Sequence, residues 1–190
     1  MPGTLLQPGV LIPLIAFAML ALLFALVLRR AGRLLAAMRE ADAYRGAVAD
    51  LAARIDISLG GVVERIDAVR RHQLPSDAID ENLAAATEAV QRYTDETEVL
   101  RPPPSRAAQR DALVAELERA GRALEMVVHG AGLLTSRPGA IRELEAQTAI
   151  KRGYLNLIHA REAIRRLAVE AATMPAPGGS RVFGRRGLRP

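Results

Sequence analysis

Between Pro8 and Leu28 the chain reads PGVLIPLIAFAMLALLFALVL, 21 residues without a charge. As a helix rising 1.5 Å per residue, this segment is about 31 Å long and matches a bilayer core of roughly 30 Å. Its flanks are one-sided: no Lys or Arg precedes it, whereas Arg29, Arg30 and Arg33 follow. A secretory signal has a basic start, a shorter apolar run and a small-residue cleavage site. Those features do not fit, so a retained transmembrane helix over residues 8–28 is expected. The positive-inside rule then puts residues 1–7 outside and residues 29–190 in the cytoplasm, with the chain in the inner, cytoplasmic membrane.

Beyond Leu28 the pattern becomes periodic. Apolar residues at 34, 38, 41, 44, 48, 51, 55, 59, 62, 66 and 69 step by threes and fours, which predicts a long amphipathic helix over about 31–73. Pro75 ends it, and Ser76 or Asp77 offers an N-cap, with Asp80 and Glu81 in the first turn of the next helix. That helix, about 77–100, carries Ile79, Leu83, Ala86, Val90, Tyr93, Thr97 and Leu100 on one face. Pro102, Pro103 and Pro104 break the chain, read as a stiff loop rather than a recognition motif, and Ser105 is a candidate cap. A third helix, about 105–135, shows Leu113, Leu117, Ala120, Leu124, Val127, Ala131 and Leu134. The Arg137–Pro138–Gly139 turn stops it. A fourth, about 140–173, would point Ile141, Leu144, Ile150, Tyr154, Leu157, Ile158, Ile164 and Leu167 inward.

No strand signal interrupts this pattern. The expected fold is all-α: a transmembrane helix followed by an up-down-up-down four-helix bundle over residues 29–173, with a long first helix. Residues 174–190, PAPGGSRVFGRRGLRP after Met174, read as a disordered basic tail.

Composition narrows the chemistry. The chain has no Cys, which excludes disulfides, thiolate metal sites and Cys nucleophiles. Lys151 is the one lysine, so lysine chemistry has a single candidate. The formal charge is +5, but residues 1–45 carry +3 and residues 174–190 carry +4, which leaves −2 on the body between them. Two basic ends on a near-neutral body argue against nucleic-acid binding.

The first cytoplasmic helix contains Asp42–Ala43–Tyr44, Leu51, Arg54–Ile55–Asp56–Ile57, Val62–Val63–Glu64 and His72. This pattern resembles the LemA family. The resemblance implies a short outside N-terminus, one transmembrane helix and a cytoplasmic helical bundle, and it implies no catalytic residues. The chain departs from the family in having Tyr44 where Trp is usual and Gly60–Gly61 where Pro-Asn is usual, with a one-residue length difference there.

Catalytic and metal motifs are missing from the sequence. A di-iron bundle needs two Glu-x-x-His motifs, and none occurs; Glu125 with His129 and His159 with Glu162 are the nearest approximations. Phosphate-binding loops, nucleophile elbows and zinc-protease motifs do not occur either. Metal sites, cofactors, enzymatic activity and a small-molecule substrate are therefore not expected.

Two further features stand out. Gly60–Gly61 falls where the apolar spacing slips to four-four. It is either a hinge or contact for a partner helix, or a local kink or small-residue crossing inside the bundle. Arg161 interrupts the last stripe. Its guanidinium is expected to snorkel outward after a slight helix rotation, the rival being a buried, paired residue.

The expected function is a non-enzymatic, membrane-anchored scaffold or interaction module that docks a protein partner or self-associates. The alternative is a lipid-organising role for the basic ends, in which Arg181, Arg185, Arg186 and Arg189 meet anionic lipid. A cryptic metal-binding bundle or enzyme is the lesser alternative.

Overall fold

The computed structural model describes residues 8–135 and 140–173. Residues 1–7, the Arg137–Pro138–Gly139 turn and the tail with Arg181, Arg185, Arg186 and Arg189 lie outside the described residues. The elements are α1 (Pro8–Arg70), α2 (Asp80–Val99), α3 (Ala107–Thr135) and α4 (Ala140–Thr173). Short 3-10 turns at Ser76–Ile79 and Pro104–Arg106 lead into α2 and α3. No strand occurs among the described residues. The chain divides between Glu40 and Ala41 into two compact units.

The apolar segment and the first amphipathic helix, expected as separate helices over 8–28 and 31–73, are one helix, α1. Physically, Leu28 to Leu34 contains a single glycine and no proline, so no residue in it forces a break. α1 also ends earlier than expected, at Arg70. Its terminus is a Schellman motif: Gln73 N–H donates to Ala68 O at 2.8 Å and His72 N–H to Val69 O at 2.9 Å. His72 holds the left-handed position with φ 59°.

The expected side-chain caps are not used. The turn at Ser76–Ile79 starts from Pro75 in an extended conformation, without a cap hydrogen bond from a side chain. Ser105 lies inside the Pro104–Arg106 turn, whose flank is Pro103, and caps nothing. In both places the proline presets the backbone angle and starts the turn itself. Asp80 and Glu81 do occupy the first turn of α2, where they complement the positive end of the helix.

Within the body, Ala41–Pro175, each helix buries one stripe. On α1 it runs from Ala41 and Tyr44 through Leu51, Ile55 and Leu59 to Ile66 and Val69. Ile79, Leu83, Ala86 and Val90 belong to the second stripe, and Leu113, Leu117, Leu124 and Val127 to the third. α4 contributes Ala146, Ile150, Leu157, Ala160 and Ile164. Most of these residues form one contiguous core. Ile141 and Leu144, expected inward, are 86% and 68% exposed. The reason lies in α1, which stops at Arg70. Arg70 stacks on the ring of Tyr154 at 5.2 Å, so α1 ends level with Tyr154, well short of the first turns of α4.

The α3–α4 seam is closely packed. Gln109 Nε2 donates to Leu167 O at 2.9 Å, and the buried Arg106 donates to Ala171 O at 3.1 Å. Farther along, a Cβ on Gly153 would stand 2.7 Å from Ala123 O, and one on Gly130 would stand 2.9 Å from Ala146 O. Residue numbers thus fall along α4 as they rise along α3. Glycine on each helix lets the backbones approach closer than any larger side chain would permit.

Candidate functional site

The first site is the apolar segment itself. Eleven large apolar side chains between Leu14 and Leu28 are all more than half exposed, with Phe17 at 71%. α1 is the one helix among the described residues that is long and apolar enough to cross a membrane. Arg29, Arg30 and Arg33 follow on the same helix, all exposed. The charge-free run explains the geometry: nothing polar in it competes with continuous helix, and nothing in the described structure covers it.

The second site is a set of ion pairs that ties α1 to its neighbours at the Arg54–Ile55–Asp56–Ile57 motif. Ile55 goes into the core, which turns Arg54 to one side and Asp56 to the other. Arg54 makes a two-pronged contact with Glu96 of α2, Nη1 to Oε2 at 3.1 Å and Nη2 to Oε1 at 2.5 Å. It also lies 5.6 Å from the Tyr93 ring centre. Ser58 and Tyr93 share a hydrogen bond of 2.9 Å just beyond.

Asp56 faces α4. Arg161 Nε donates to Oδ1 at 2.6 Å, and Arg165 donates to both carboxylate oxygens, at 2.7 and 2.8 Å. Hydrogen bonds from Arg165 and then Arg161 hold the Asp56 carboxyl down at about 2. Arg161 therefore does not snorkel free. It is half-buried and paired, because the buried stripe of α4 passes through Leu157, Ala160 and Ile164 and leaves Arg161 on the adjoining row that meets α1.

Gly60 belongs to the same cluster. A Cβ there would stand 3.1 Å from Arg161 Nη2, whereas one on Gly61 would meet nothing within 4 Å. α1 is helical through both residues. Gly60 is thus a small-residue crossing beneath Arg161, and Gly61 faces open space. Sequence reasoning singled out Asp56, Gly60 and Arg161 separately. It missed that they meet, and it missed Arg165. The slip to four-four spacing at Leu51, Ile55 and Leu59 was the available signal, since such a stutter rotates the flanking residues toward a neighbour.

Tyr44 and Arg106 form a third polar feature at the start of α3. Tyr44 is buried, and its hydroxyl has no hydrogen-bond partner among the described residues. Burial, opposed by the nearby Arg106 and Arg110, raises its pKa. The histidine approximations to a metal site stay apart from any cluster: Glu125, His129, His159 and Glu162 are all exposed. No group of three or more potential metal ligands occurs among the described residues.

No family model matches the chain, no curated protein matches it, and no solved structure matches it.

Proposed function

We propose that the chain is a single-pass membrane protein of the inner membrane whose cytoplasmic body, an up-down-up-down four-helix bundle, acts as a non-enzymatic scaffold or interaction module. The observation that carries this reading is the unbroken exposed apolar run from Leu14 to Leu28, followed by three arginines. Burying a large apolar side chain is worth about 1.5–3 kcal/mol, so leaving eleven of them half-exposed in water forgoes on the order of 10–20 kcal/mol. Lipid recovers that energy without any rearrangement of the body. The arginine collar then favours the orientation with residues 29–190 inside.

The likeness of residues 42–72 to LemA proteins supports the same plan. The body has an ordered core, helices joined by short breaker turns, and ion pairs that fix the register between helices. Its described surface presents grooves and charged side chains.

The reading is tested in cells. The protein should resist alkaline carbonate extraction, and a reporter fused to its C-terminus should register in the cytoplasm. Crosslinking of the anchored protein followed by pull-down should recover a reproducible protein neighbour or a second copy. Extraction into the soluble fraction, or an outside C-terminus, overturns the topology. Reproducible recovery of lipid-only adducts overturns the interaction role.

A further inference from the structure

The charge of α1 changes abruptly at one level. Residues 8–28 carry none, and Arg29, Arg30 and Arg33 follow within five positions. Successive residues of a helix turn by about 100°, so these three arginines share one side of α1 with Leu26 before them and Leu34 after them. The five side chains line one groove. All three arginines are exposed. None of their side chains makes an ion pair or hydrogen bond among the described residues. Arg45, Arg54, Arg161 and Arg165 of the body, by contrast, each hold a carboxylate.

Counter-charge is missing from the neighbouring sequence as well. The first carboxylate after Arg33 is Glu40, seven residues or about 10 Å farther along the helix. Residues 1–7 and 174–190 contain no Asp or Glu. Depth supplies the partner. With residues 8–28 filling the hydrocarbon core, Arg29 stands about 1.5 Å beyond its edge and Arg33 about 7.5 Å. The headgroup layer on each side of that core is about 5–7 Å thick. The three guanidiniums are thus level with the lipid phosphates, which a guanidinium grips with two parallel hydrogen bonds. A zwitterionic lipid already balances its phosphate with its own amine, whereas an anionic phospholipid does not. Arg39, about 16 Å from the core edge, stands roughly a Debye length above the headgroup layer.

We infer that this side of α1 is a binding site for an anionic phospholipid, with Arg29, Arg30 and Arg33 on the headgroup phosphate and Leu26 against the acyl chain. The inference rests on the membrane anchor of the proposed function and goes beyond it: the collar selects its lipid neighbours as well as favouring an orientation. Leu26 is exposed on the core side of the arginines, where the acyl chain begins, so one lipid meets both kinds of side chain. A phosphate ion from solution has no acyl chain and forgoes the Leu26 contact.

The experiment uses the full chain in vesicles of phosphatidylcholine mixed with phosphatidylglycerol. Because the chain has no Trp, one introduced Trp is the only such fluorophore. Leu22→Trp sits one turn before Leu26 on the groove side, and Phe24→Trp sits at similar depth on the opposite side; both positions are exposed. Lipids brominated on the acyl chain just below the headgroup quench a Trp they touch. Brominated phosphatidylglycerol should quench Leu22→Trp about fivefold more effectively than its mole fraction predicts at low salt, while Phe24→Trp follows the mole fraction. The preference should shrink as sodium chloride rises. Replacing Arg29, Arg30 and Arg33 together by Gln should abolish it, Arg30→Gln alone should at least halve it, and Arg39→Gln should leave it intact. Quenching of Phe24→Trp by brominated phosphatidylcholine reports insertion of every variant, and where the triple variant does not insert, Arg30→Gln decides. Inorganic phosphate should reduce the preference no more than chloride at the same ionic strength. Four results overturn the inference: no preference, equal preference on both sides, a preference that survives loss of the arginines, or specific displacement by inorganic phosphate, which would assign the groove to a free anion. If neither lipid quenches either Trp in the otherwise unchanged chain, the anchor fails and the inference with it. Quenching by brominated phosphatidylcholine without a preference for phosphatidylglycerol overturns the inference alone and leaves the anchor standing.

Discussion

Arg161 of α4 reaches over Gly60 of α1, with Nη2 lying 3.1 Å from where a Cβ would stand. Next to Gly60, Gly61 meets nothing. Both are helix-interior glycines, and each costs about 1 kcal/mol relative to alanine. Gly61→Ala should therefore raise stability by about 1 kcal/mol. Gly60→Ala should gain distinctly less, because the new methyl pushes a guanidinium that Asp56 is holding. Urea unfolding of the two variants checks the contrast; equal gains would detach Gly60 from the cluster.

The Asp56 cluster also sets an acid limit. Its carboxyl is held down to about 2, below the ordinary value near 3.8. The folded state thus binds its proton less readily than the unfolded chain, so the stabilisation is present above pH 3.8 and lost as pH falls toward 2. With 29% of the Asp56 side chain exposed, solvent screening leaves about 1–2 kcal/mol. The wild-type chain should exceed Asp56→Asn by that amount at pH 5, and the gap should close near pH 2. A gap independent of pH would assign the loss to packing instead.

At the α3–α4 seam the obstacle is backbone. A Cβ on Gly130 would press on Ala146 O at 2.9 Å, and one on Gly153 would press on Ala123 O at 2.7 Å. Neither carbonyl can move without parting the helices. Gly130→Ala and Gly153→Ala should each destabilise by about 1–3 kcal/mol despite the gain in helix propensity. The double variant should lose less than the sum, since one separation relieves both clashes. Denaturant midpoints decide it, and a gain in either single variant would contradict the close approach.

These three sites differ in how far the sequence disclosed them. The buried stripes of α2 and α3 were legible, because regular three-four spacing marks a face whatever the partner is. Spacing does not say how far the partner extends, and so Ile141 and Leu144 looked like core although α1 ends level with Tyr154. Pairs such as Gly130 with Ile150, or Asp56 with Arg165, depend on the register between distant helices, which no local pattern carries. Gly153 did leave a trace: it occupies the stripe between Ile150 and Leu157, where glycine is costly unless something comes close. The cap positions misled for another reason. Ser76, Asp77 and Ser105 are good caps by type, but prolines directly before or among them start the turns first.

Tyr44 buries a hydroxyl that has no partner among the described residues. An unmatched buried polar group costs about 1–3 kcal/mol, and removing it leaves the ring packing intact. Tyr44→Phe should therefore be neutral or stabilising by up to about 1 kcal/mol, whereas Tyr44→Ala should lose about 3–5 kcal/mol through the cavity. Thermal unfolding separates the two effects. A clear loss in Tyr44→Phe would mean the hydroxyl is satisfied, with an ordered water as the first candidate.

His72 closes α1 in the left-handed region at φ 59°. Its own N–H bonds to Val69 O, and the N–H of Gln73 bonds back to Ala68 O, so the motif is held by backbone alone. A side chain with a Cβ costs roughly 1–2 kcal/mol there, and glycine avoids it while giving up some entropy in the unfolded chain. His72→Gly should therefore stabilise the body by about 1 kcal/mol. His72→Val, branched at Cβ, should destabilise it by a similar amount or fray the last turn of α1. Arg70 sits in that turn and stacks on Tyr154, so fraying has a local signature: faster amide exchange at Val69 to Gln73 and a changed Tyr154 environment. If His72→Gly destabilises instead, the imidazole makes a contact that outweighs the backbone strain.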